Sequence, residues 1–160
     1  MAFLNGHGDI EDWGCGTGFA RRFATRSAYT GIDGSESRFT DKVADLRAYT
    51  SDVDCILIRH VLEHNHDWRA ILTNAVGSFR LRMALVIFTP FQERTRQIAT
   101  WPSGIPDIGF RKDDLIEVFQ HLPYAEESLQ TATQYKTEHI FYIEKAASTA
   151  DAASAGAQGT

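Results

Sequence analysis

Short apolar blocks alternate with stretches of helical spacing along this chain, the pattern that builds a largely parallel α/β sheet. Residues Asp9–Trp13 predict a first strand, which runs into a glycine-rich turn over Gly14 to Gly18. Phe19 and Phe23 stand at i and i+4 and predict a helix over Phe19–Thr25 with a buried face. Tyr29–Asp33 predicts a second strand, Glu36–Phe39 a short helix capped by Ser35, and Lys42–Leu46 a third strand. Asp54–His60 has a continuous apolar centre, as in a strand buried on both faces. From His66 to Phe79 the residues Trp68, Ile71, Leu72, Ala75, Val76 and Phe79 keep helical spacing, and Met83–Phe88 predicts a fifth strand. Residues 90–110 hold Pro90, Pro102, Pro106 and Trp101 and predict one long irregular connection, of a kind that is usually functional or mobile. Trp101 there reads equally as a pocket wall or as a surface anchor. Asp113–His121 predicts the last helix, and Glu127–Thr133 and Glu138–Glu144 two closing strands.

The expected fold is α/β: a Rossmann-like, doubly wound domain over residues 1–146, with a mostly parallel seven-stranded sheet and an antiparallel C-terminal strand. Residues 147–160 are rich in alanine, serine and glycine and lack any large apolar side chain, which predicts a disordered tail. Ligands on such sheets bind at the carboxyl ends of the strands, where strand order reverses. Gly14 to Gly18 follow strand one, Asp33 follows two, Asp45 follows three, and Arg59 and His60 follow four.

Bulk properties narrow the function classes. The net charge of −5 gives no general attraction to nucleic acid or to an anionic membrane, and Arg21, Arg22 and Arg26 read as a solvated face. The two cysteines, Cys15 and Cys55, make neither a disulfide framework nor a four-cysteine zinc site. No apolar run approaches the roughly 18–20 residues needed to span a bilayer. The N-terminal residues lack a signal-peptide pattern, so the expected compartment is cytoplasmic.

The turn itself reads Asp12-x-Gly14-x-Gly16-x-Gly18. It lacks the Gly-x-Gly-x-x-Gly spacing of dinucleotide sites and the terminal Gly-Lys-Ser/Thr of phosphate loops. Its glycines let backbone N–H groups approach a ligand closely. Asp12 at its head would repel a phosphate and suit a cation.

With these residues in place the chain resembles the class I S-adenosylmethionine-dependent methyltransferases over about residues 9–146. The segment Asp12-Trp13-Gly14-Cys15-Gly16-Thr17-Gly18 matches the family's first motif, and Tyr29 to Ser35 is similar to the second, with Asp33 closing strand two. Val43-Ala44-Asp45-Leu46 resembles the segment that meets the adenine, and Arg59-His60-Val61-Leu62-Glu63-His64 the segment after strand four. The resemblance implies S-adenosyl-L-methionine as cofactor. It would be held by Asp12, Gly14, Cys15, Gly16, Thr17, Gly18, Asp33, Gly34, Ser35, Asp45, Leu46, Arg59 and His60. Asp33 would accept from the ribose hydroxyls, Asp45 from the adenine amino group, and Asp12 from the ligand's ammonium. Leu46 would pack on the ring.

The expected activity is methyl transfer to a small molecule or glycan precursor. A cofactor-binding, non-catalytic subunit of a larger complex is the alternative, and an NAD-dependent oxidoreductase a more distant one. Family members usually carry helices ahead of strand one, whereas here that strand starts by about residue 9. This implies an open cofactor site, or one covered by a second copy or by a partner subunit. No Asn/Asp-Pro-Pro-Tyr/Phe motif of DNA- and glutamine-methylating enzymes follows strand four.

His60, His64 and His66, with Glu63 and Asp67, invite a metal reading. His60 closes a strand, so it does not share a helical face with His64, and no metal is expected. His60 and His64 are instead candidate catalytic residues lining the transfer pocket.

Overall fold

The computed structural model describes residues 1–146; the predicted tail lies outside the described residues. Five strands run parallel: β1 (Ile10–Trp13), β2 (Tyr29–Asp33), β3 (Lys42–Val43), β4 (Val53–Arg59) and β5 (Phe79–Ile87). The chain then makes a separate two-stranded antiparallel sheet from β6 (Arg96–Thr100) and β7 (Pro106–Gly109). It closes with β8 (Tyr124–Gln130) and β9 (Thr137–Glu144), where β9 is antiparallel to both β5 and β8. The main sheet has the order β3-β2-β1-β4-β5-β9-β8, so strand order reverses between β1 and β4. This is the Rossmann-like, seven-stranded arrangement expected from the sequence.

Side-chain alternation divides the core. Trp13, Ile32, Ile56, Ile58, Leu85 and Phe141 point to one face, where α1 (Trp68–Ser78) and α2 (Lys112–Phe119) cover them. Ile10, Cys55, Leu57, Ala84 and Val86 point to the other, where the cover is thin: Leu4 from the N-terminal turns and Ala20. Among the described residues no helix is long and apolar enough to cross a membrane.

Several local expectations need correction. Residues Phe19–Phe23 form a 3-10 turn, not an α-helix, and Phe19 and Phe23 are 52% and 44% exposed. Five residues cannot repay the cost of helix nucleation. The two rings instead pack on each other, with the Arg22 guanidinium over both. No helix forms at Glu36–Phe39, because Ser37 Oγ accepts from the Phe39 N–H and pairs with Thr40, offering the backbone an alternative to helix. β3 stops at Val43, and Asp45 begins a turn in which its Oδ1 accepts from the Arg47 N–H. α1 begins at Trp68 and ends at Ser78, whose Oγ donates back to the Asn74 carbonyl and accepts from the Ser51 N–H. Phe79 is therefore the first residue of β5. The last helix occupies Lys112–Phe119, and β8 starts at Tyr124, three positions before the expected strand. Most consequentially, residues 90–110 are not irregular: they contain the β6–β7 hairpin.

Candidate functional site

A cavity of about 760 Å³ opens at the carboxyl ends of β1, β2 and β4, beside the reversal of strand order. Small-molecule sites span roughly 300–1,000 Å³. Of the residues singled out from the sequence, Gly14, Gly16, Asp33, Gly34, Asp45, Leu46, His60 and His64 line it.

The glycine turn is built by backbone constraint. Gly14 has φ +77°, and a Cβ there would lie 2.4 Å from Val61 Cγ2. Gly18 has φ +65°, and its Cβ would lie 3.0 Å from Phe39 Cβ. Gly14 and Cys15 N–H groups both donate to the Ile32 carbonyl, at 2.7 and 3.0 Å, which ties the turn to β2. Gly16 N–H reaches on to Asp33 Oδ2 at 2.9 Å, and Ser35 N–H donates to Asp33 Oδ1 at 3.2 Å. The carboxylate is thus fixed at the cavity edge, and each oxygen keeps a second lone pair. Ser35 acts through its backbone and does not line the cavity.

The remaining residues of the motif sit elsewhere. Asp12 is buried and accepts from the Tyr29 hydroxyl on the thinly covered face. Burial raises its pKa to about 6, against the pull of that hydrogen bond and of Arg59. Cys15 is buried with Sγ 3.7 Å from the Phe39 carbonyl, and burial pushes its thiol up. Thr17 is exposed in the turn. Arg59 points to the opposite sheet face, where it helps line a second cavity of about 310 Å³.

At the β3 end, Asp45 takes a forked pair of hydrogen bonds from Arg47 (Nε to Oδ1 at 2.9 Å, Nη2 to Oδ2 at 2.7 Å). These bonds and the Arg47 N–H hold the Asp45 carboxyl at about 2. Arg47, also on the cavity wall, reaches Asp67 at 3.4 Å. Leu46 closes the apolar side.

At the β4 end lie the two histidines. His60 has φ +57°, which turns its ring over the cavity beside Phe88. Its Nε2 lies 2.6 Å from Glu138 Oε1 but off the N–H direction, so it has a charged neighbour without a hydrogen bond. The same Oε1 accepts from Arg59 Nη2 at 2.9 Å. Burial, and then Arg59, lower the His60 pKa, and Glu138 opposes them. His64 Nδ1 is 3.0 Å from the Pro106 carbonyl and 3.3 Å from Asp107 Oδ1. Asp107 is fully buried (0% exposed), and its Oδ1 accepts from the Trp101 indole N–H and its Oδ2 from the Tyr135 hydroxyl, both at 2.8 Å. Burial and then the Asp107 bond push Tyr135 up to about 12, so its hydroxyl remains a donor. Trp101 is thus an anchor for Asp107 and also stands edge-on to His64.

Beneath the histidines, Glu63 is fully buried. Oε1 accepts from the Phe88 N–H, Oε2 has no partner, and burial raises the pKa to about 8. Among the described residues no group of three or more His, Cys, Asp or Glu side chains is arranged to hold a metal ion.

Sequence reasoning did not single out Arg47, Ile105, Asp107 or Tyr135. Ile105 and Asp107 lie in the stretch read as irregular, and Tyr135 in the turn between the closing strands. A proline-flanked aspartate six residues from a tryptophan was the available signal.

No protein-family model matches the chain, and no curated protein matches it. Solved structures resemble it in fold. The Burkholderia thailandensis 1,6-didemethyltoxoflavin-N1-methyltransferase, solved with 1,6-didemethyltoxoflavin and S-adenosylhomocysteine, is 14% identical with a TM-score of 0.70, over 86% of this chain and 71% of its own. The magnesium protoporphyrin IX methyltransferase of Synechocystis PCC 6803, solved with S-adenosylhomocysteine, is 17% identical with a TM-score of 0.64, over 89% and 76%. An S-adenosylmethionine-dependent methyltransferase from Mesorhizobium loti is 16% identical with a TM-score of 0.64, over 90% and 94%. The chain has the class I methyltransferase fold.

Proposed function

We propose that this protein is an S-adenosyl-L-methionine-dependent methyltransferase acting on a small molecule. The observation that carries the reading is Asp33, clamped by two backbone N–H groups beside the glycine turn at the edge of the cavity. Its spare lone pairs suit a pair of ribose hydroxyls. The same arrangement would serve NAD, but the turn lacks that cofactor's glycine spacing.

The other walls fit the remaining parts of the cofactor. Gly14 and Gly16 present backbone without side chains where the methionine and ribose would pass. Leu46 offers an apolar surface for the adenine and Asp45 an acceptor for its amino group, with Arg47 holding that carboxylate in place. When bound, S-adenosylmethionine supplies a methyl carbon on a sulfonium sulfur, activated for in-line displacement. The protein's part is to align the acceptor, exclude water and, where the acceptor carries a proton, remove it. The small-molecule acceptors named for two of the structural neighbours support an acceptor of that kind.

Calorimetric titration with S-adenosylmethionine is expected to show binding by the unmutated protein. Asp33→Ala should weaken it by about 1–3 kcal/mol, roughly 5- to 150-fold, the cost of leaving buried polar partners unpaired. Absence of binding by the unmutated protein, or retention of NAD in its place, would overturn the reading.

A further inference from the structure

The geometry points to His64 as the proton acceptor of this site, with Asp107 as its positioning residue, and hence to a methyl acceptor whose reacting group must give up a proton, such as a hydroxyl. The inference rests on the methyltransferase reading for the reaction, but its structural half stands on geometry alone: a hydrogen bond from His64 Nδ1 to the Pro106 carbonyl, with the Asp107 carboxylate beside it.

A neutral imidazole has one N–H and one lone pair, and its partners decide which nitrogen carries the proton. His64 Nδ1 faces two oxygens that can only accept, the Pro106 carbonyl at 3.0 Å and Asp107 Oδ1 at 3.3 Å. The proton therefore sits on Nδ1. The lone pair is left on Nε2, for which no hydrogen bond exists among the described residues, and His64 lines the cavity. The ring is held in place by Phe88 at 5.5 Å and by the Trp101 edge at 5.9 Å.

Asp107 is placed with unusual care for a residue on a short hairpin. A buried carboxylate is costly unless its oxygens are satisfied. Here the donors are Trp101, six positions away in the same hairpin, and Tyr135 from the β8–β9 turn. Tyr135 ties the hairpin to the rest of the chain, whereas the Trp101 bond lies within the hairpin and serves the carboxylate itself. The second donor fixes the carboxylate plane, and with it the side that meets His64. His60 is not equivalent: its Nε2 is buried against Glu138.

A thiolate, carboxylate or free amine attacks a methyl carbon with a lone pair it already has. A hydroxyl or a protonated amine must lose a proton on the way, which is where a positioned base contributes; catechol serves as the hydroxyl case. In that step the acceptor oxygen forms a bond to the methyl carbon and the carbon–sulfur bond breaks with its pair on sulfur. The hydroxyl proton passes to His64 Nε2. Asp107 faces the imidazolium so formed.

Long-range proton–nitrogen NMR of the uniformly 15N-labelled protein reads the tautomer directly, with His64→Gln assigning the signals. The expected result is His64 protonated on Nδ1, and a rise in the Nε2-protonated share in Asp107→Asn. An Nε2-protonated His64 in the unmutated protein overturns the proposal, and that spectrum decides even where the Asp107 variant does not fold. S-adenosylmethionine titration of the same sample separates the two claims. Missing binding with an Nδ1 proton defeats the methyltransferase reading alone, while an Nε2 proton with intact binding defeats the base alone. With catechol as the hydroxyl probe and benzoate as the probe with no proton to lose, S-adenosylhomocysteine formation is expected from catechol. His64→Gln should slow it by roughly 100-fold or more through kcat, with KM little changed. Turnover of benzoate without catechol, or catechol turnover in His64→Gln within about threefold of the unmutated rate, overturns the acceptor class.

Discussion

Between about pH 5 and 9 the unmutated protein should lose stability relative to Glu63→Gln, in which that loss is absent. Glu63 is fully buried, its Oε2 is unpartnered, and burial raises its pKa from the ordinary 4.5 to about 8. The folded state therefore binds this proton more tightly than the unfolded state. Linkage then fixes the sign: the stability that Glu63 contributes is fully present below pH 4.5, is lost as pH rises, and is gone above about 8. At about 1.4 kcal/mol per unit the loss is on the order of 3–5 kcal/mol. Asp12, raised by burial to about 6, adds a smaller loss of the same sign at lower pH. Glutamine keeps the acceptor for the Phe88 N–H and cannot ionise. Urea unfolding at several pH values should give a steep fall for the unmutated protein and a shallow one for the variant. Parallel pH dependences would show that Glu63 is not the group responsible.

Gly14→Ala should cost on the order of 2–5 kcal/mol, combining backbone strain with overpacking. The φ of +77° is unfavourable for any residue with a Cβ, and that Cβ would lie 2.4 Å from Val61 Cγ2. The Gly14 N–H also ties the turn to Ile32, so relaxation would displace the cavity edge. For a chain of this size the melting temperature should fall by roughly 5–15 °C. Gly34→Ala is the contrast. It lines the same cavity, but its Cβ would meet nothing within 4 Å. Its melting temperature should stay within about 2 °C of the unmutated value. Equal melting temperatures for Gly14→Ala and Gly34→Ala would show that the turn does not need glycine at its head.

What the sequence made legible was the half of the cavity around the glycine turn. Strand, turn and acidic residue follow one another closely in the chain, so local pattern encodes Gly14, Gly16 and Asp33 almost completely. The Phe19–Phe23 turn misled, because i, i+4 aromatics look the same whether they face a core or stack on each other under an arginine. The side of the cavity near His64 was harder to read. His64 could be named, but its partners could not, since Asp107 and Tyr135 are 43 and 71 positions away. Only the β6–β7 hairpin and the antiparallel β8–β9 return bring them to it. Asp12 shows the converse limit: strand alternation at β1 sends it to Tyr29 on the other face, away from the cavity that its motif position implied.

The β6–β7 hairpin shares no hydrogen-bonded ladder with the main sheet, and this sets apart two ways in which a change of sequence can propagate. Insertions, deletions or substitutions around Ile105 that leave the Trp101–Asp107 bond in place can reshape one wall of the cavity without disturbing any rung of the seven-stranded sheet. The glycine turn enjoys no such freedom, wedged as it is between Val61, Phe39 and Ile32. A change in that arm is absorbed locally while a change in the turn is passed on to β2, so grafted arms of different length are the natural starting library for reshaping the cavity.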